Sequence, residues 1–280
     1  VVECAPRAFD ASLYFGAFGQ FEQEVDAGSA LWGFAPSVLV IALRPEDVDV
    51  DAVVRYVDTG GQRFGALADS ILERVTACAR HARERMQGPI IVANMAAPAS
   101  LPLGIFDASN ANSLTHVIAA LNRRLAESIS AIPGTYVWDY AGLVRARGDE
   151  RWTDPRLWSL ARAVVAQDHQ AATATHLVRT VAATLRPPAK CLVLDLDNTL
   201  WGGVLGDDGP GGISLGDDYP GNAFKQLQRA AQALRDRGIL LAIASKNNPD
   251  IVEETLGTHP EMVLRWSDFA CVKANWRSKS

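Results

Sequence analysis

The sequence predicts an α/β protein built from two Rossmann-like parallel-sheet units. Three observations predict it. Short apolar runs alternate with longer amphipathic stretches, the pattern of a parallel sheet covered by helices. The run Arg186-Pro187-Pro188-Ala189 interrupts this alternation, because two prolines cannot continue a helix. After the interruption, two apolar runs end in polar residues, Asp195 in one and Ser245 in the other. Ligands of α/β sheets bind at such carboxyl ends of strands.

In the first region, residues 1–186, strands are expected at 12–18, 38–43, 90–94 and 136–139. Leu67, Ile71, Val75 and Cys78 recur at helical spacing, as do Leu114, Val117, Ile118, Leu121, Leu125 and Ile129. A last helix covers much of 171–185. In the second region, residues 187–280, a strand is expected at 191–196, a helix at 222–237 and a second strand at 239–244. Gly238 stands just past that helix, where a left-handed cap is wanted. The chain opens close to a strand and stops soon after the second strand of the second unit. Two strands make too little sheet for an independent domain, so the parent protein is expected to continue on both sides.

The chain is 48% hydrophobic and 21% charged, which suits a soluble globular protein with a sizeable core. Its net charge of −5 is interspersed and forms no basic stripe, so nucleic acid is not an expected partner. No apolar run reaches the length of a membrane span. The opening Val1-Val2-Glu3-Cys4 lacks the basic start and apolar core of a signal peptide, and a cytoplasmic location is expected. Cys4, Cys78, Cys191 and Cys271 are far apart and form no CxxC, which argues against zinc and for reduced, mostly buried thiols.

The strongest signal is Leu194-Asp195-Leu196-Asp197-Asn198-Thr199-Leu200-Trp201-Gly202-Gly203. An apolar strand ends there in two carboxylates separated by one residue. One such carboxylate can attack phosphorus and become an aspartyl phosphate. The other can pass a proton to the leaving group and take one from water. Close carboxylates repel, and a hard divalent cation such as Mg2+ relieves this. About 50 residues on, the apolar strand Leu240-Leu241-Ala242-Ile243-Ala244 ends in Ser245-Lys246-Asn247-Asn248. A hydroxyl and the following amides can hold phosphoryl oxygens there as charge develops.

The first stretch resembles the first motif of the haloacid-dehalogenase superfamily. The resemblance implies Asp195 as nucleophile and metal ligand, and Asp197 as general acid/base with its backbone carbonyl on Mg2+. The second stretch matches the second motif, with Ser245 as the phosphate-binding hydroxyl; Thr199, Lys246 and Asn247 join it as phosphate-binding candidates. A charge-neutralising lysine is sought among Lys246, Lys273 and Lys279. The run Lys273-Ala274-Asn275-Trp276-Arg277-Ser278-Lys279 resembles the third motif, which points to Lys279. The family's fourth motif, an acidic pair that completes the metal site, has no counterpart in the sequence, so metal affinity and turnover of this chain are expected to be poor.

The likeness extends further. Gly206-Asp207-Asp208-Gly209, Asn248-Pro249, His259-Pro260-Glu261-Met262, Tyr14-Phe15-Gly16-Ala17-Phe18-Gly19-Gln20-Phe21 and Arg151-Trp152-Thr153-Asp154-Pro155 all resemble the FkbH-like family. That family joins an SGNH-hydrolase-like region to a phosphatase-like domain, so the resemblance implies the first region is SGNH-like and the second a partial haloacid-dehalogenase-like domain. It further implies that a glyceryl group from a phosphorylated three-carbon substrate is loaded onto the phosphopantetheine thiol of an acyl carrier protein, in polyketide or nonribosomal peptide biosynthesis, with removal of the phosphate.

A thiolate suits acyl transfer, and Cys191 lies on the same strand face as Asp195 but about 13 Å away at strand rise. It stands as a candidate acyl carrier, with a buried core cysteine as the competing reading. The first region has no Gly-Asp-Ser and no D-x-x-H; Leu157 falls where the histidine of the latter would be. It therefore suits substrate positioning or carrier docking better than esterase chemistry. Asn94, at a strand end, is a candidate oxyanion donor, or else a turn residue. Trp201, Gly202 and Gly203 follow the first motif and are expected to shape a pocket mouth, while most other tryptophans are expected in the core. A phosphatase without acyl transfer and a non-catalytic docking module are the competing functional readings.

Overall fold

The computed structural model describes residues 10–17, 19–59, 61–98, 101–148, 151–161, 163–186 and 189–275. The chain forms two compact units, Val1–Pro187 and Pro188–Ser280.

In the first unit the short helix α1 (Ala30–Phe34) leads to β1 (Leu39–Ile41). Helices α2 (Pro45–Val48), α3 (Val50–Val54) and the long α4 (Gln62–Arg83) follow. Then come β2 (Ile90–Ala93), α5 (Leu114–Ser130), β3 (Thr135–Trp138), α6 (Tyr140–Arg147), α7 (Pro155–Ala161) and α8 (Gln167–Leu185). The three strands form a parallel sheet in the order β1-β2-β3. Parallel sheets need cover on both faces. Here α4 and α5 bury Phe64, Ile71, Leu121 and Leu125 in one core together with Ile90 and Val92 of β2. Ile91, Ala93 and Trp138 turn to a second core that includes Leu177 and Val181 of α8. The strands expected near 38–43, 90–94 and 136–139 are thus present, the first two shorter than expected and the third of the same length but one residue earlier.

The strand expected at 12–18 is absent: residues 10–17 are neither helix nor strand, and Phe18 lies outside the described residues. Alternation sets which side chains turn inward, but a strand also needs a ladder partner, and none pairs with this segment among the described residues. The segment just after it is anchored by Arg74 of α4, which donates two hydrogen bonds to Glu22 (2.9 and 2.7 Å).

The second unit runs β4 (Cys191–Leu194), α9 (Leu205–Asp208), α10 (Gly221–Asp236), β5 (Leu240–Ser245), α11 (Pro249–Thr258) and β6 (Phe269–Ala274). Its sheet is also parallel, in the order β4-β5-β6. The third strand corrects the expectation of a two-stranded unit. Lys273 breaks the apolar run of β6 after residues 269–272, which leaves a stretch too short to stand out as a strand. One sheet face, with Leu194, Leu241 and Ile243, packs into the core with Ala231 of α10 and Val252 and Leu256 of α11. The opposite face carries Val193 and Leu240, both more than half exposed.

A single side chain braces this unit from inside. Gln228 of α10 is fully buried. Its Nε2 donates to Leu200 O at 2.7 Å, and its Oε1 accepts from Val263 N (2.9 Å) and Leu264 N (3.0 Å). Gln228→Ala is expected to strand one carbonyl and two amides, at a cost of about 3 kcal/mol in urea unfolding of the second unit.

A pH test addresses the first unit. Hydrogen bonds from Arg74 hold the Glu22 carboxyl below the usual glutamate range. A depressed folded value stabilises the protein above the unfolded glutamate pKa of about 4.3 and ceases to do so as pH falls through the folded value. Glu22→Gln is therefore expected to lower Tm at neutral pH, with the difference from the parent protein closing in acid.

Candidate active site

The carboxyl ends of β4 and β5 carry the residues that the sequence singled out. β4 ends at Leu194, and Asp195 follows. Its Oδ1 accepts the next amide, Leu196 N, at 2.9 Å. Leu196 O then accepts Thr199 N (3.0 Å) and Leu200 N (2.8 Å), which closes a tight turn. Leu196, Leu200 and Trp201 are fully buried and pin that turn to the core. Asn198 adopts φ +54°, a left-handed conformation that asparagine tolerates better than most residues. Its Oδ1 accepts Gly203 N at 3.1 Å.

Asp197 is held by three donors. Oδ1 accepts Trp201 Nε1 (3.1 Å) and Leu205 N (3.0 Å); Oδ2 accepts Asn247 Nδ2 (2.8 Å). Asn247 Nδ2 also lies 3.2 Å from Ser245 Oγ, so one amide joins the two motifs across the sheet. Ser245 and Asn247 are both buried, and Ser245 O accepts Asn275 N at 3.1 Å from just past β6. The tips of all three strands are thereby tied together.

Several expectations are corrected in detail. Trp201 does not shape a pocket mouth: its ring is buried in the core and its indole N–H orients Asp197. Asn247 donates its side-chain amide to Asp197 and Ser245. Gly202 pairs with Ser214 through two backbone hydrogen bonds (3.0 and 2.8 Å), and a Cβ there would meet the Phe224 ring at 2.9 Å. Gly203, at φ +96°, continues the strand-like pair into a loop. Thr199 is half-buried in the turn, and Lys246 and Lys273 are exposed. Lys279 lies outside the described residues.

Cys191 is exposed, not buried, because its sheet face has no covering helix among the described residues of this unit. It starts β4, whereas Asp195 follows the other end. Cys271 is likewise exposed; Cys78 alone of the described cysteines is buried, and that burial pushes its thiol up to about 12. In the first unit, Asn94 donates from Nδ2 to Asp139 Oδ1 (2.8 Å) and accepts Ala141 N on Oδ1 (2.7 Å), the work of a strand-end turn residue. Trp152 is buried as expected, while Trp158 is half-exposed beneath the Arg44 guanidinium, 4.3 Å from its ring centre.

Two positions went unread in the sequence. Besides Gln228, Lys225 of α10 is buried and donates to Asp217 and Glu261, each at 2.6 Å. These hydrogen bonds, Asp217 first, raise its pKa. The lysine ties the segment after the Gly202–Ser214 pair to the loop before β6. A lone lysine among α10's polar residues offers no sequence signal for this.

No family model matches the chain, and no curated protein matches it. Among solved structures it is similar to a crystal structure of the N-terminal part of the protein BF1531 from Bacteroides fragilis, which contains a phosphatase domain and is complexed with Mg. The TM-score is 0.80 at 28% identity, over 99% of this chain and 72% of that one. The mixed α/β architecture, with its two three-stranded parallel sheets, is therefore that of a phosphatase-domain protein.

Proposed function

We propose that the second unit is a Mg2+-dependent phosphoryl-transfer centre of haloacid-dehalogenase type, in which Asp195 is the nucleophile. The observation that carries this reading is the Asn247 amide shared between Asp197 and Ser245. It links Asp197, two residues past Asp195 at the end of β4, to Ser245 at the end of the neighbouring β5. The likeness to a phosphatase domain complexed with Mg supports it.

The donor set fits Mg2+ as far as it extends. The Asp195 carboxylate and the Asp197 main-chain carbonyl are hard oxygens of the kind this ion prefers, whereas the Asp197 side chain is already committed to three donors. Among the described residues no group of three or more His, Cys, Asp or Glu gathers to hold a metal, so water and substrate phosphate would complete the shell. When bound, Mg2+ offsets the repulsion between the nucleophile and the incoming phosphate. Asp195 attacks phosphorus, the P–O bond to the leaving group breaks, and an aspartyl phosphate forms. Asp197 serves as general acid/base: its carboxylate form, held by those three donors, takes the proton from the water that hydrolyses the acyl phosphate, and the protonated form so produced delivers one to the leaving oxygen in the next turnover. Ser245 donates to a phosphoryl oxygen.

For the substrate we propose, from the FkbH-like resemblance, a phosphorylated three-carbon acid whose glyceryl group passes to the phosphopantetheine thiol of an acyl carrier protein, with an SGNH-like first unit that positions or docks and a cytoplasmic setting. No described helix is long and apolar enough to cross a membrane. Cys191, one of two exposed thiols among the described residues, is the proposed intermediate carrier. Mass spectrometry of a carrier protein incubated with the enzyme and bisphosphoglycerate tests this step. A glyceryl adduct is expected, and its absence alongside phosphate release leaves a phosphatase without acyl transfer.

The phosphoryl step has its own tests. Phosphate release from an aryl phosphate is expected to require Mg2+, to stop on chelation, and to fall roughly 1,000-fold or more in Asp195→Asn. Equal rates in the parent and the variant would remove Asp195 as nucleophile. Asn247→Ala frees Asp197 Oδ2 and Ser245 Oγ together. It is expected to lower kcat about 10- to 100-fold with a smaller change in KM, read from steady-state kinetics.

A further inference from the structure

Helix α10 grips one loop of the second unit at both ends. Gln228 holds the Leu200 carbonyl at 2.7 Å. Lys225, three residues earlier and on the same helix face, holds the Asp217 carboxylate at 2.6 Å. Between these two points the chain leaves the turn after β4 and comes back to α10. This excursion is folded on itself. Gly202 and Ser214 pair through two backbone hydrogen bonds, and Leu205 and Ile213 are buried in the core of the unit. Val204 N donates to Asp208 Oδ2 at 2.8 Å. The returning limb lies against the first turn of α10, where a Cβ on Gly221 would stand 2.5 Å from Gly216 N.

Two groups of the excursion touch the candidate site. Trp201 Nε1 and Leu205 N both donate to Asp197 Oδ1, at 3.1 and 3.0 Å. The other oxygen, Oδ2, is held by Asn247 from just past β5. One half of the Asp197 carboxylate is therefore aimed by the excursion alone. The Lys225 side chain is 10% exposed, whereas that of Asp217 is 87% and that of Glu261 40% exposed. An ion pair with a solvated partner adds little net stability, and a hydrocarbon of the same volume would serve the core as well. What the ammonium supplies is a fixed place for Asp217, and with it for the returning limb.

We propose that Lys225 is a positioning residue for phosphoryl transfer: by holding Asp217 it fixes the excursion 201–217, and through Trp201 and Leu205 it aims the Asp197 carboxyl at the leaving oxygen. This role rests on the reading of Asp197 as the general acid/base. When the P–O bond breaks, its electron pair goes to the leaving oxygen, which takes the proton from Asp197. A leaving group that is stable as an anion needs that proton little, and a basic one needs it much. Lost aim therefore carries a chemical signature that a general loosening of the fold does not.

The test compares kcat/KM for phenyl phosphate and 4-nitrophenyl phosphate, two esters of similar shape whose leaving groups differ in basicity. This ratio reports the steps up to departure of the leaving group. Lys225→Met is expected to lower it about 30-fold for phenyl phosphate and about 3-fold for the nitrophenyl ester. Asp217→Ala, a change at an exposed side chain, is expected to show the same bias in a smaller form, about 10-fold against less than about 2-fold. Urea unfolding checks that each variant is folded; if Lys225→Met is not, Asp217→Ala decides alone. Equal losses on both esters would mean a structural role only, and no loss would mean no part in the reaction; both outcomes overturn the proposal. Asp195→Asn is run beside them. Phosphate release that persists in it overturns the phosphoryl-transfer reading and this role together. Release that is lost in it, without the leaving-group bias in the other variants, overturns the role of Lys225 alone.

Discussion

A single carboxamide governs the geometry of the candidate site. Asn247 is buried and reaches two acceptors at once, Asp197 Oδ2 and Ser245 Oγ. Hydrogen bonds of a buried amide to a carboxylate are among the stronger ones in proteins, and an unpaired carboxylate in the same place would be costly. Everything else at the strand tips is arranged so that this contact can form. The Leu196–Leu200 turn brings Asp197 back over the sheet, Asn198 takes the left-handed conformation that allows the turn, and Trp201 holds the second carboxylate oxygen. The site is thus a property of the loop and the core together.

The same unit uses long polar side chains as internal braces where backbone pairing stops. Gln228 bonds with one backbone carbonyl and two amides from separate segments. Lys225 does the equivalent with two carboxylates. Both project from α10, so one helix fixes the turn after β4 and the approach to β6. Fully satisfied buried polar groups of this kind rigidify a loop without requiring further sheet.

Much of the fold was legible because periodicity reports burial directly. The 3.6-residue spacing from Leu67 to Cys78 and from Leu114 to Ile129 marks the two long helices that fill the first core. The apolar runs that end at Asp195 and Ser245 mark the strands that deliver the site. What was not legible depends on partners distant in sequence. Residues 12–17 have the composition of a strand but pair with no strand among the described residues. Trp201 follows the motif closely enough to suggest a pocket wall, yet its apolar area is drawn into the core, and only its N–H meets the site. Lys225 and Gln228 look like ordinary polar positions of an amphipathic helix until the loops they grip are in place.

The uncovered face of the second sheet has an immediate chemical corollary. Cys191 and Cys271 stand exposed on β4 and β6, two strands separated by β5, while Cys78 is sealed in the other unit with its thiol held protonated. A brief pulse of iodoacetamide on the native protein would therefore mark the first two and spare the third. Because each marked sulfur belongs to that face, whatever comes to lie over the sheet would register as a loss of alkylation there, a footprint written in the protein's own atoms.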